Sequence, residues 1–200
     1  MELHAHWEQV YRTKPTDSVS WYQPHLQLSL DLIRRVAPDL DTPIVDVGGG
    51  ASTLVDDLVS ACYTDITVLD LAETALDIAR TRLGSRSSAV SWVAGDVTSV
   101  ELPARRFRVW HDRAVFHFLT DAADRARYVA QVRHALAPGG YAIVASFGPD
   151  GPQRCSGLPT ARYDAPALHA VFGPEFELLE CEHENHHTPA GAEQQFIYCL

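Results

Sequence analysis

Apolar positions along the chain follow two regimes, and the change comes near Pro43. Before it they recur at helical spacing. Trp7, Val10 and Tyr11 share a face of one segment, and Leu26, Leu28, Leu30, Leu32, Ile33 and Val36 populate a second that stops before Pro38. A loop over 16–22 is expected between them. After Pro43, short apolar runs alternate with helix-spaced segments, which is the signature of βαβ units and a parallel sheet. The runs predict strands over 44–47, 66–69, 90–93, 107–111 and 141–147. The segments between predict helices over 52–60, 72–83 and 122–137, the last stopping at Pro138-Gly139-Gly140. A Gly/Pro-rich loop over 148–159 and a short helix over 166–172 follow. Two final runs, 176–181 and 195–200, flank a turn at Thr188-Pro189-Ala190-Gly191 and predict a terminal antiparallel hairpin. The expected fold is a single doubly wound α/β domain over 1–200. Its mostly parallel seven-stranded sheet has an antiparallel C-terminal strand, and a helical lid (1–40) covers an α/β core (41–200).

Composition narrows the partners. The chain carries 16 Lys+Arg against 26 Asp+Glu, a formal charge of −10 with no basic run, which disfavours a nucleic-acid backbone as substrate. No stretch approaches the ~18 apolar residues of a membrane span, and the first residues lack a signal-peptide apolar region. Cys62, Cys155, Cys181 and Cys199 are widely spaced and form no C-x-x-C pair, so reduced thiols in a cytoplasm are expected, with neither a disulfide framework nor a metal site. Oligomeric state has no signature in this pattern.

The chemistry concentrates where strands end. Ile44-Val45-Asp46-Val47 runs into Gly48-Gly49-Gly50-Ala51-Ser52, a strand, a glycine turn and a helix start, the place where open α/β sheets bind nucleotide-like ligands. Glycine lets the backbone turn and approach a ligand closely, although any tight strand-to-helix turn favours it too. The next strand ends at Asp70, where a carboxylate can accept from both ribose hydroxyls of an adenosine or can simply cap the following helix. The third ends at Gly95-Asp96-Val97, placing a carboxylate for an adenine amino group beside an apolar residue. Three acidic strand ends in consecutive units describe an adenosine cradle. A dinucleotide fingerprint would need glycine at the sixth position from Gly48, where Thr53 stands, so pyrophosphate binding is disfavoured.

On these residues the chain, from Ile44 to Leu200, resembles the class I S-adenosylmethionine-dependent methyltransferases. The matching pieces are Asp46-Val47-Gly48-Gly49-Gly50, Asp70, Gly95-Asp96-Val97, Pro138-Gly139-Gly140 and the closing hairpin; Ser52 stands where the family usually has a third glycine. Within the family, Val19-Ser20-Trp21-Tyr22-Gln23, Trp110-His111-Asp112-Arg113 and Cys155-Ser156-Gly157-Leu158-Pro159 resemble a bacterial subgroup of methyltransferase-domain proteins. The resemblance implies S-adenosylmethionine as cofactor. It implies contacts from Trp21, Asp46, Gly48, Gly49, Gly50, Ser52, Asp70, Leu71, Asp96, Val97 and His111, with Asp46 near the cationic methionine moiety.

The acceptor side is sparser. Loops after the fourth and fifth strands lie on the ligand side of such sheets, which selects His111 as a general base or a backbone-bonding residue, and Cys155 as a soft ligand or a buried inert thiol. His117 reads as a packed core histidine. In His183-Glu184-Asn185-His186-His187 a strand would put His183, Asn185 and His187 on one face and His186 on the other; His187 is the candidate to reach an acceptor. Trp7, Tyr11, Trp21 and Tyr22 either form a lid over the cofactor or only pack the first helices. The expected activity is methyl transfer to a small molecule, with a lysine methyltransferase and a non-catalytic cofactor-binding protein as alternatives.

Overall fold

The computed structural model describes residues 2–200. The sheet forms from β1 (Ile44–Val47), β2 (Ile66–Asp70), β3 (Val90–Ala94), β4 (Phe107–Arg113), β5 (Leu136–Phe147), β8 (Cys181–His187) and β9 (Glu193–Cys199). Its order is β3-β2-β1-β4-β5-β9-β8. Strands β1 to β5 pair in parallel, and β9 runs antiparallel to both β5 and β8. This is the doubly wound sheet with a reversed closing strand that the pattern predicts.

Strand alternation sends successive side chains to opposite faces, and two cores follow. Ile44, Val109 and Ile143 meet α2 (Gln27–Val36), α3 (Leu54–Ser60) and α4 (Glu73–Leu83) through Ile33, Leu58 and Leu76. Val45, Trp110 and Val144 meet α5 (Ala122–Ala135) and α6 (Ala165–Phe172) through Tyr128, Val132 and Phe172. Each fully buried aliphatic or aromatic side chain contributes about 1.5–3 kcal/mol. Asp121 and Asp164 cap α5 and α6, accepting from the Ala123 and Ala167 N–H groups at 2.7 and 2.8 Å.

The first helix, α1 (Glu2–Thr13), lies over α4. The buried Glu8 carboxylate accepts from the Thr74 N–H (3.2 Å) and hydroxyl (2.5 Å) at the start of α4, where the helix dipole also favours an anion. Thr74 holds the Glu8 carboxyl below its ordinary pKa.

Several boundaries differ from the pattern: α5 ends at Ala135 and β5 begins at Leu136, so Pro138-Gly139-Gly140 lie inside the strand rather than before it, and three further differences bear on the site. Strand β4 continues through Asp112 and Arg113, so His111 lies inside the sheet rather than at its open end. The loop after β5 contains a small hairpin, β6 (Arg154–Cys155) and β7 (Leu158–Pro159), turned by Ser156 and Gly157 at φ +49° and +82°. The penultimate strand covers Cys181–His187 rather than 176–181. Phe176 and Leu178 pack against the α5/α6 core as irregular chain, while the strand is an edge whose polar alternation carries no apolar signal.

Candidate functional site

At the carboxyl ends of β1 and β2 the glycine turn closes against two carboxylates. Gly48 adopts φ +69°, and a side chain there would meet the Val115 methyl at 2.0 Å. A Cβ at Gly49 would lie 2.3 Å from Asp46 Oδ2, and one at Gly50 2.4 Å from Asp70 Oδ2 and 2.6 Å from Ala75 Cβ. Glycine here is a requirement of space as much as of φ.

Asp70 accepts from Gly50 N–H at 3.1 Å and Ala72 N–H at 2.8 Å, so it ties the turn to the start of α4 and still has a lone pair on each oxygen. Burial raises its pKa to about 7, with the two backbone bonds opposing and Asp46 and Glu8 adding to the rise. Asp96 is exposed and binds the Thr98 N–H and hydroxyl, both at 2.8 Å. Ser52 Oγ, just before the Thr53 N-cap, accepts from the Leu54 N–H that opens α3 at 3.2 Å.

Parity along β4 decides the roles of Trp110-His111-Asp112-Arg113. Trp110 and Asp112 face α5: Tyr128 donates to Asp112 at 2.6 Å, and Val115 and Phe116 N–H groups do so at 2.9 and 3.1 Å. Burial raises the Asp112 pKa to about 6. His111 and Arg113 face the lid side. His111, 1% exposed, lies 2.7 Å from Asp46 Oδ1 through Nδ1 and 2.9 Å from Ser29 Oγ through Nε2. The carboxylate requires Nδ1 to donate, and the Ser29 hydroxyl engages Nε2. Both nitrogens are therefore engaged, and His111 orients Asp46 rather than offering a free base to an acceptor. The other Asp46 oxygen, Oδ2, is buried without a partner and faces the glycine turn.

Above this floor lie two adjoining hollows. A cavity of about 100 Å³ has Asp70, Leu71, Asp96 and Val97 on one side and Trp7 and Phe118 on the other, with Cys155 in its wall. A smaller one, about 30 Å³, lies beside Asp46, Gly49 and His111. Tyr11, Trp21, Gly48 and Arg113 line both. The roof is aromatic: Trp7 meets Trp21 at 5.6 Å and Phe118 at 5.1 Å between centroids, both edge-on, and Tyr11 meets Trp21 at 6.3 Å. Burial pushes the Tyr11 hydroxyl well above its ordinary pKa, with Asp70 adding to the shift.

Among the expected acceptor-side residues, Cys155 is buried in the cavity wall with its thiol pKa raised by burial, 3.7 Å from Ser20 Oγ. His187 is not brought to the site. It lies on the solvent face of β8 with His183 and Asn185, exposed, while His186 faces inward. His117 is fully buried and stacked on Phe147 at 4.1 Å. Arg113, absent from the sequence-based set, is the residue the parity of β4 could have supplied. Among the described residues no helix is long and apolar enough to cross a membrane.

A family profile described as a methyltransferase domain matches residues 44–140, from β1 into the first residues of β5. The chain is 28% identical over 141 residues to the mouse eEF1A lysine and N-terminal methyltransferase, covering 68% of this chain and 20% of that protein. It is 33% identical over 125 residues to the malonyl-[acyl-carrier protein] O-methyltransferase of Halalkalibacterium halodurans, covering 60% of this chain and 45% of the relative. The chain thus spans less than half the length of either. A solved 1,6-didemethyltoxoflavin-N1-methyltransferase from Burkholderia thailandensis, with bound 1,6-didemethyltoxoflavin and S-adenosylhomocysteine, shares the fold with a TM-score of 0.69 at 21% identity, over 98% of this chain and 86% of that one.

Proposed function

The chain belongs to the class I S-adenosylmethionine-dependent methyltransferase family, and on that premise we propose that it methylates a small-molecule acceptor enclosed beneath its N-terminal segment. S-adenosylmethionine is the cofactor, and it supplies an activated methyl group on a sulfonium. Residues of the cradle fit it: the unpartnered Asp46 Oδ2 suits the ammonium of the methionine moiety, the free lone pairs of Asp70 suit the ribose diol, and Leu71, Asp96 and Val97 suit the adenine. Gly48, Gly49 and Gly50 leave room for close approach, and Ser52 fixes the turn into α3.

The observation that supports a small acceptor is the cover. Trp7, Tyr11, Trp21 and Phe118 close over the cavity, whose volume of about 100 Å³, against the ~300 Å³ where drug-sized pockets begin, is too small to admit cofactor and acceptor together without movement of the cover. The first helix, α1, which carries Trp7 and Tyr11, therefore acts as a lid that shifts to admit ligands and then encloses them, whereas α2 belongs to the core. This enclosure excludes water and holds an acceptor in line, and such positioning supplies much of the rate when the leaving group is already good. With His111 engaged at both nitrogens and the Cys155 thiol pKa raised by burial, the chain's role is to bind and orient an acceptor that brings its own lone pair. The toxoflavin enzyme's name gives a small-molecule acceptor and the malonyl-[acyl-carrier protein] relative's an acyl group on a carrier protein, whereas the eEF1A enzyme names the protein alternative.

The test is production of S-adenosylhomocysteine from S-adenosylmethionine with a cell extract split at about 3 kDa. Turnover with the low-mass fraction is expected. Turnover with the protein fraction alone would replace this reading with protein methylation.

A further inference from the structure

The segment carrying Trp21 has no regular structure of its own, yet it is fixed from three directions. From β8, His186 Nε2 lies 2.7 Å from the Ser20 carbonyl and its Nδ1 3.0 Å from Gln23 Nε2, while Glu184 Oε1 accepts from the same Gln23 amide at 3.1 Å. A carbonyl only accepts and an amide nitrogen only donates, so His186 must donate at Nε2 and accept at Nδ1: it is neutral, in one tautomer. From β4, Arg113 donates to the Trp21 carbonyl at 3.0 Å, and is itself held by Tyr198 (2.8 Å), by Glu184 (3.3 Å) and over the Phe196 ring at 4.5 Å. From the glycine-turn side, the Thr53 hydroxyl donates to the Gln23 carbonyl at 2.9 Å. His186 is 3% exposed and the Arg113 side chain 4%, so these bonds are shielded from competing water.

We propose that Glu184 and His186, carried on the terminal hairpin, are positioning residues that act through Arg113, Ser20 and Gln23 to fix the Trp21 ring between the two hollows and so set the shape of the acceptor pocket. The inference rests on the acceptor reading above for what the pocket holds, and on the bonds alone for how it is held. It explains why the edge strand is polar on both faces. Its inward parity, Glu184 and His186, grips the lid segment, while His183, Asn185 and His187 face solvent. The hairpin, far from the cofactor motifs in sequence, becomes the part that tunes acceptor choice.

The experiment uses full-length protein labelled with 5-fluorotryptophan and read by ¹⁹F NMR, the resonances of Trp7, Trp21, Trp92 and Trp110 being assigned by Trp→Phe variants. His186→Leu and Gln23→Leu are expected to shift and broaden the Trp21 line while Trp92 and Trp110 stay in place, and His186→Gln, which restores a donor for Ser20, to recover part of the shift. With any acceptor that is turned over, His186→Leu is expected to lower acceptor kcat/KM at least tenfold. A Trp21 line unchanged in both Leu variants overturns the proposal, as does equal movement of all the lines, which would mark a general loss of packing. The fluorine readout needs no acceptor, so a displaced Trp21 line in a protein that methylates no small molecule would uphold the latch and overturn the acceptor reading.

Discussion

Asp70 offers the sharpest quantitative handle on the cofactor cradle. Its carboxyl is 7% exposed and its pKa stands at about 7, raised first by burial. The ionised form is the one that accepts from two hydroxyls, so binding a ribose favours deprotonation, and affinity must rise with pH. At about pH 6 such a group is ionised in roughly one molecule in eleven, and above about pH 8.5 almost always. The difference is about tenfold in affinity, or about 1.4 kcal/mol. S-adenosylhomocysteine titrated calorimetrically in two buffers of different ionisation enthalpy should therefore bind about ten times more weakly at the lower pH and release close to one proton there. Asp70→Asn removes the charge and one acceptor, and turns an amide N–H toward the Gly50 or Ala72 N–H that the carboxylate now satisfies. A lost charged hydrogen bond is worth about 1.5–3 kcal/mol, so affinity should fall by roughly 10- to 150-fold and the pH slope should vanish. Wild-type affinity that is flat across this range, or an equal slope in Asp70→Asn, would refute the assignment.

Other perturbations follow from the same geometry. Gly50→Ala places a methyl 2.4 Å from Asp70 Oδ2 and 2.6 Å from Ala75 Cβ, and should abolish detectable S-adenosylhomocysteine binding while lowering stability in urea by about 1–3 kcal/mol. His111→Leu leaves both Asp46 oxygens buried and unpaired; a stability loss of about 3 kcal/mol, read from thermal unfolding, is expected together with weaker cofactor binding, whereas a selective loss of kcat would restore a base role. Glu8→Ala removes two bonds to Thr74 and should free α1, seen as faster limited proteolysis within residues 2–26 at a global cost of about 2 kcal/mol. Because the folded-state pKa of Glu8 is depressed below 4.5, its contribution is intact above that value and disappears as pH falls through the lowered one, so acid should loosen the lid in wild type but change Glu8→Ala little.

What the sequence reveals follows the physics of each part. The β1-to-Asp96 half is legible because turn chemistry and strand ends leave signatures at fixed offsets: glycines where a Cβ would collide with Asp46 or Asp70, and acids where strands stop. Strands β1, β2 and β4 and the second half of β5 are legible as apolar runs because they are buried on both faces, whereas β3 is an edge with only Val90 buried. The edge strand Cys181–His187 is not, since one face is solvated and the other holds Glu184 and His186 for a polar contact rather than for a core. His111 illustrates a different gap. Its position on β4 is readable, but its role depends on Ser29 and Asp46, 82 and 65 residues away, which only the folded chain brings together. Extending β4 by two residues in the pattern would have exposed the parity that sends Arg113 to the lid and Asp112 to α5.

The cradle at Asp46, Gly49 and Asp70 is expected to hold the cofactor with its reactive end toward the aromatic chamber. A crystal structure with S-adenosylhomocysteine tests it most directly. The amino group is expected at Asp46 Oδ2, the ribose on Asp70, adenine beside Leu71 and Val97, and the sulfur facing the space under Trp7, Trp21 and Phe118. A nucleoside bound elsewhere, or with its sulfur turned away from that chamber, would contradict it.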